Sequence, residues 1–403
     1  MREKVLEGVK VADFTRVFSG PLATKILADY GAEVVKIEGK VRADIERAQR
    51  PMKDNIAGWN RAGMFNQYNT TKLSVTLNLA HPKGVEVAKK FVAWADVVME
   101  NFTGGAMERM GLGYEELKKV KPDIIMVSSC MQGQTGPYAT MPGFGGQLTA
   151  LAGLGHIAGW PDREPPYIGV YTDFIAPHFH VTTLISALLY RRQTGKGQYL
   201  DFSQYENAVH FIAPLVLDYT VNRRVANRMG NHYSYAAPHG VYRCRGEERW
   251  CAIAVFTDEE WQNFCEVIGN PTWTEDPKFL TLLARKQNED ELDKLVEEWT
   301  VNHLEGEVMS LMQSAGVAAG VAQTGKDLLE HDPQLKHRHF YWEVEHPEVG
   351  KYLAPGHSSM LSKSPYEVQR APLMGEHTEY ALKGIAGISD EEIAELVAIG
   401  AVE

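Results

Sequence analysis

Cysteine is scarce, with 4 in 403 residues. Cys130, Cys244, Cys251 and Cys265 form no C-x-x-C pair and no other metal-ligand spacing, so neither a metal centre nor a dithiol motif is expected. Buried thiols in a reducing compartment are the remaining reading. Long apolar runs are missing too. None approaches the ~18 residues a membrane-spanning helix needs, and even residues 148–160 are interrupted by glycines, so no membrane partner is expected. The first four residues, Met1-Arg2-Glu3-Lys4, are charged and lack the apolar core of a signal peptide, which points to the cytoplasm. Positive charge is in deficit. The formal net charge of −11 argues against a nucleic-acid partner, whose affinity rests on basic surface.

What is there is an ordinary globular composition, too long for one small core and fitting a large domain with an insertion. Residues 9–14 alternate like a strand, Gly20-Pro21 marks a turn with Pro21 at a first helical position, residues 22–30 read as a helix stopped by Gly31, and residues 34–37 as a second strand. Helical spacing returns at 82–95 and 114–119, each followed by a short apolar strand, at 97–99 and 124–128. Strands alternating with helices predict a parallel, doubly wound sheet. A long apolar helix is expected at 178–192, closed by Gly195-Lys196-Gly197, then a strand at 200–202 and a helix at 204–217. Composition changes near Arg223. Residues 241–255 read as a hairpin around Gly246-Glu247 and 259–329 as charged helices. The expected organisation is therefore a large domain over 1–222, a small α+β domain inserted at 223–330, and a return to the large domain over 331–403, ending in a helix at 390–399.

The opening unit invites a dinucleotide-binding reading, with Glu38 in the place of the ribose-binding acid. The turn, however, reads Thr15-Arg16-Val17-Phe18-Ser19-Gly20, with one glycine where the Gly-x-Gly-x-x-Gly fingerprint needs three. Glu38 is more simply a polar strand terminus.

Several segments, in order and spread over most of the chain, are similar to the class III CoA-transferases. They are Val11-Ala12-Asp13-Phe14-Thr15-Arg16-Val17-Phe18-Ser19-Gly20-Pro21, Asp29-Tyr30-Gly31-Ala32-Glu33-Val34-Val35-Lys36-Ile37-Glu38, Asn69-Thr70-Thr71-Lys72, Glu100-Asn101-Phe102-Thr103-Gly104-Gly105 running on to Arg109-Met110-Gly111, Gly195-Lys196-Gly197-Gln198, and Ala371-Pro372-Leu373-Met374-Gly375-Glu376-His377. The resemblance implies a Rossmann-like α/β large domain built from both chain ends, a smaller inserted α+β domain, and two subunits threaded as interlocked rings, as a homodimer or with a related subunit. It implies that CoA and acyl-CoA are substrates, with no permanently bound cofactor and no metal. It also implies that Asp173 forms a covalent anhydride with the acyl group and then a thioester with CoA.

Asp173 lies in an otherwise uncharged run, residues 167–179. If it precedes the 178–192 helix, the helix N-terminus favours its anion; the plainer reading is a helix cap. Lys72, Asn101, Phe102 and Arg109 fall on family positions near CoA, where basic groups would meet phosphate; Arg16 and Val17, in the first turn beside them, are candidate CoA contacts. The basic residue that often follows Glu38 is Gly39 here, so Lys40 or Arg42 is the expected substitute. On the acceptor side, Phe18 beside Ser19 replaces a glutamine of the formyl-type enzymes, and Phe144-Gly145 replaces a tyrosine–glutamate pair. The loss of those polar groups argues against oxalate; Phe18, Phe144, Trp160 and Tyr167 suggest a bulky, partly aromatic acid, with ordinary core packing the equal alternative for each. The expected pair is succinyl-CoA as donor and an aromatic or branched acid, such as a benzylsuccinate-like compound, as acceptor. Residues 230–240 correspond to the family's mobile glycine-rich loop, which makes His232, His239 and Gly240 candidate oxyanion contacts. A related racemase chemistry needs a histidine where Phe144 stands. A catalytically quiet partner subunit is the alternative of a different kind.

Overall fold

The computed structural model describes residues 4–403, so Met1, Arg2 and Glu3 of the charged N-terminal stretch lie outside the described residues. The described residues divide into two compact units: one of the residues up to 155, 167–224 and 336–403, the other of residues 156–166 and 225–335.

The larger unit is organised by six strands: β1 (Lys10–Asp13), β2 (Glu33–Glu38), β3 (Leu73–Thr76), β4 (Val97–Glu100), β5 (Ile125–Cys130) and β6 (Tyr199–Ser203). They pair in the order β3-β2-β1-β4-β5-β6, with every pairing parallel. This is the doubly wound Rossmann order. The strands are apolar on both faces because both faces are covered. Ala12, Val35, Val98 and Met126 enter one core, under Val87 and Phe91 of the helix Pro82–Trp94 and Leu396 near the end of the chain. Their neighbours Val11, Val34, Val97, Ile125 and Val127 enter the other, under Leu27 of the helix Ser19–Asp29 and Leu184 and Ala187 of the helix Tyr171–Thr194. The period-2 alternation of side chains thus feeds two cores from one set of strands.

Four local differences from the sequence reading have physical causes. The first helix starts at Ser19, making Pro21 its third residue; a proline is tolerated there because first-turn N–H groups lack helical partners in any case. The long helix starts at Tyr171 and contains Pro177, the residue that made position 178 look like its beginning. The helix expected at 204–217 is broken into Gln204–Val209, a short 3₁₀ turn and Ala213–Asn222. β3 went unread because only four residues separate a turn from a loop.

The smaller unit holds an antiparallel sheet of β7 (His239–Arg243), β8 (Trp250–Ala254) and β9 (Ala318–Val321). Its core gathers Tyr242, Ile253, Trp261, Phe264, Leu292, Val296 and Met312. Residues 156–166 join this unit although they precede Asp173 in sequence. All four cysteines are free and buried. Among the described residues no helix is long and apolar enough to cross a membrane.

Candidate active site

In an open parallel sheet, ligands bind outside the carboxyl ends of the strands, where the strand order reverses. Here that point lies between β1 and β4, and a cavity of about 650 Å³ opens there, within the size range of small-molecule sites. Every strand of the sheet delivers wall residues: Arg16 and Val17 after β1, Gly39 and Arg42 after β2, Leu77 after β3, Asn101, Phe102 and Arg109 after β4, Ser129 and Cys130 at the end of β5, and Gln204 after β6. Gly143, Phe144, Gly145 and Asp173 complete the wall. Two buried polar atoms there, Arg16 Nε and Gln204 Oε1, have no partner among the described residues, which leaves them available to a ligand.

The turn after β1 is strained and over-determined. Val17 and Phe18 have φ of 57° and 50°, a region that β-branched and bulky residues avoid. Carboxylates and an amide hold it in place. The Arg16 N–H donates to Asn101 Oδ1 at 2.7 Å, that of Val17 to Asp44 Oδ1 at 3.1 Å, and that of Phe18 to Glu46 Oε1 at 2.6 Å. Asn101 therefore braces the turn besides lining the cavity. Arg16 lies over the Phe102 ring, 5.3 Å from its centroid, and burial holds its pKa below the ordinary value despite Asp44 and Glu38.

Behind this turn is a buried ionic network. Asp13, Glu38, Asp44 and Glu46 face Lys36, Arg47 and Lys72, all buried. Arg47 grips Glu38 through Nε and Nη2, so Glu38 is a buried anchor as well as a strand end. Burial raises Asp13, but the charges of Lys72 and Lys36 and the Thr15 and Thr24 hydroxyls outweigh it and hold the carboxyl below its usual range. Glu46 shifts the other way, raised by burial and by Asp44.

Lys72 is part of this network and departs from the expected phosphate contact. Its Nζ donates to Asp13 Oδ2 at 3.1 Å, Pro21 O at 3.0 Å and Asn69 Oδ1 at 2.8 Å. An ammonium has three protons, and all are committed away from the cavity. Lys72→Met is expected to cost about 3–5 kcal/mol, the usual consequence of orphaning a buried charge. Urea unfolding checks this; the KM for acyl-CoA in the folded fraction should stay within about twofold, since substrate binding loses no contact. Lys40 is exposed and absent from the wall, whereas Arg42 is on it. The lack of a side chain at Gly39 also has a cause: a Cβ there would sit 2.8 Å from the Leu77 carbonyl oxygen.

Asp173 occupies the first turn of the helix Tyr171–Thr194, four residues before Pro177. It neither precedes the helix nor caps it. Proline has no N–H, so the Asp173 carbonyl loses its usual i+4 donor. The side chain keeps some exposure to the cavity, yet burial alone pushes the carboxyl up to about 7, and no cation opposes the shift. Its Oδ2 packs against Gly145, where a Cβ would lie only 2.2 Å away. An aromatic group adjoins it. Phe18 lies 5.3 Å from Tyr68 and 5.8 Å from Phe174, centroid to centroid. The Tyr68 phenol is pushed up to about 12 by burial, with Glu46 and Asp173 adding to it. Tyr68 was not legible as a site residue, because nothing local marks it. Ser19 is buried at the helix start with its Oγ unpartnered, and Phe144 is 62% exposed on the cavity wall.

The remaining expected residues belong to the smaller unit. His232 is engaged at both ring nitrogens, with Asp293 at 2.9 Å and Glu289 at 3.3 Å. The His239 ring stacks on Tyr233, and its Nδ1 meets the Asn231 carbonyl. Gly240 lets the Tyr242 ring approach: a Cβ would be 2.7 Å from it.

The model of CoA-transferase family III matches residues 6–378. The succinyl-CoA:glutarate CoA-transferase of Mus musculus is 31% identical over 402 residues, 99% of this chain and 91% of that protein. The formyl-CoA:oxalate CoA-transferase of Bradyrhizobium diazoefficiens is 30% identical, covering 99% and 97%. A CAIB/BAIF family protein from Brucella suis, known by its crystal structure, superposes with a TM-score of 0.87 at 29% identity, over 95% of this chain and all of that one. With a whole-length family match, relatives that share its length, and a Rossmann-order sheet whose carboxyl ends frame the cavity, the chain belongs to CoA-transferase family III and is an enzyme of that class.

Proposed function

We propose that this enzyme moves CoA from succinyl-CoA to a bulky or aromatic carboxylic acid through a covalent intermediate on Asp173. The observation that carries the reading is a carboxyl without a cation partner among the described residues, on the wall of a cavity that also presents Arg16, Arg42 and Arg109. The arginines suit the phosphates of CoA, and the carboxyl suits attack on its thioester.

The exchange balances without an external acid or base. An Asp173 oxygen attacks the thioester carbon, the C–S bond breaks, and its electron pair leaves on the CoA sulfur, giving an aspartyl–acyl anhydride. The thiolate then attacks the aspartyl carbon and releases the donor acid, leaving an aspartyl-CoA thioester. The acceptor carboxylate attacks that thioester and expels thiolate again. The thiolate finally takes the acceptor acyl group and frees Asp173. The aromatic group of Phe18, Tyr68 and Phe174 supports an aromatic acceptor, because rings stack favourably on rings. The name of the succinyl-CoA:glutarate relative supports the donor. On this reading the enzyme works as an interlocked homodimer, or with a related subunit, in the cytoplasm.

The test is to express the chain alone and incubate it with a panel of acyl-CoAs, trap with hydroxylamine, and locate the modified peptide by mass. The expected product is a hydroxamate on Asp173 with succinyl-CoA, and faster turnover with benzylsuccinate-like acceptors than with glutarate or oxalate. Turnover only with small aliphatic acceptors would overturn the aromatic assignment. A chain that turns over nothing alone but gains activity with a second subunit would be a supporting partner.

A further inference from the structure

Ser129 is fully buried at the end of β5 and lines the same cavity as Asp173. Its Oγ has one partner, His180 Nε2, at 3.0 Å. His180 stands seven residues after Asp173 on the helix Tyr171–Thr194, two turns on and therefore on the same face. The ring is 1% exposed and lies edge-on to Phe202, 4.7 Å between centroids. Its Nδ1 has no partner among the described residues.

That asymmetry selects a tautomer. A neutral imidazole carries one proton. If the proton were on Nδ1, a buried N–H would be orphaned in an apolar wall, while Ser129 would spend its own proton on Nε2. Orphaned buried N–H groups are rare in folded proteins, and acceptors left short of a partner are less so. With the proton on Nε2, only a lone pair is left bare, and Nε2–H donates to Ser129 Oγ. Charging the ring is no alternative, since burial drives His180 down to about 3. The Ser129 hydroxyl proton is then unclaimed by the protein and free to turn toward the cavity.

We infer that Ser129 is a hydrogen-bond donor to the CoA sulfur as it leaves the thioester, and that His180 is a positioning residue that keeps the serine hydroxyl aimed outward. In the step concerned, the Asp173 oxygen–carbon bond forms, the C–S bond breaks and its electron pair moves to sulfur. Ser129 keeps its proton and shares it with the thiolate. The inference rests on the anhydride route proposed above.

Two measurements test it. In the full-length protein with ¹⁵N-labelled imidazoles, His180 should show the Nε2–H tautomer, with no titration between pH 5 and pH 9. Kinetically, Ser129→Ala should lower kcat about 10–100-fold, the size of effect of a lost transition-state donor, with the KM for acyl-CoA within about threefold. His180→Phe should have the same signature, and the double variant should be no worse than either single one, since both act through one hydrogen bond. An Nδ1–H tautomer, an unchanged kcat in Ser129→Ala, or additive losses would overturn the inference. A Ser129→Ala enzyme at full speed beside an inactive Asp173→Ala enzyme would sink this inference alone. Full turnover by Asp173→Ala would sink the anhydride route instead. The tautomer depends on neither activity.

Discussion

Asp173→Ala is expected to lower CoA exchange by at least ~10³-fold, the usual scale for losing a covalent nucleophile, and to abolish the hydroxylamine-trapped peptide. Its pH dependence is as specific as its size. The carboxyl has to be ionised to attack, and burial places it at about 7 in the folded protein. The wild-type kcat/KM for acyl-CoA should therefore rise with pH through an apparent pKa near 7 and level off above it, where an ordinary aspartate would already be flat. Stability should move the opposite way. Below the ordinary value of 3.8 the group is protonated in both folded and unfolded chains and has no effect. As pH rises toward about 7, the unfolded chain ionises first, so a destabilising penalty builds up progressively. Above about 7 an uncompensated carboxylate strains the fold by at most ~4 kcal/mol. Asp173→Asn should thus stabilise the protein at pH 8 and be nearly neutral at pH 4, by thermal unfolding. Equal effects at the two pH values, or full turnover by Asp173→Ala, would remove Asp173 from its assigned role. A nucleophile held above the usual carboxylate range also retains basicity, which trades stability for reactivity.

Gly145→Ala should be the second most damaging change to activity while being nearly silent in stability. Its Cβ would fall 2.2 Å from Asp173 Oδ2 and 2.7 Å from Cγ. The obstructed group is the end of a rotatable side chain, so the clash is relieved by rotating the carboxylate away and not by moving backbone. A cost below about 1 kcal/mol in unfolding free energy is expected, because only an off-rotamer side chain has to be accommodated. Catalysis has no such tolerance. Displacing a reacting atom by ~1 Å can cost about 10²-fold, so kcat should drop by that order, with binding of CoA itself, measured by calorimetry, retained. A fully active Gly145→Ala enzyme would show that Asp173 works from another position.

The sheet was readable because its signal is local and repeated. Residues 9–14, 34–37, 97–99 and 124–128 are short apolar runs separated by helical spacing, and burial on both faces makes such runs conspicuous. Errors fell where local rules conflict with tertiary context. Pro177 reads as a helix boundary, yet the helix Tyr171–Thr194 passes through it, because its buried face against the first helix and β5 outweighs one missing hydrogen bond.

At the site, the sequence by itself singled out Asp173 as a candidate and marked its neighbourhood. Asp173 in an uncharged run, and the motif residues around Arg16, Asn101 and Arg109, could be named from the order of types along the chain. Only the tertiary structure decided what each side chain is free to do. Lys72 and Arg109 look alike in sequence, but one ammonium is consumed by Asp13, Pro21 and Asn69 while the other cation lines the cavity. Tyr68, Ser129 and His180 carry no local mark at all. They become part of the site because β5, the helix Tyr171–Thr194 and the helix Gly63–Tyr68 converge there, and because a buried polar group's role is set by the partners it finds or lacks. Those partners lie tens of residues away along the chain, and no local sequence pattern encodes them.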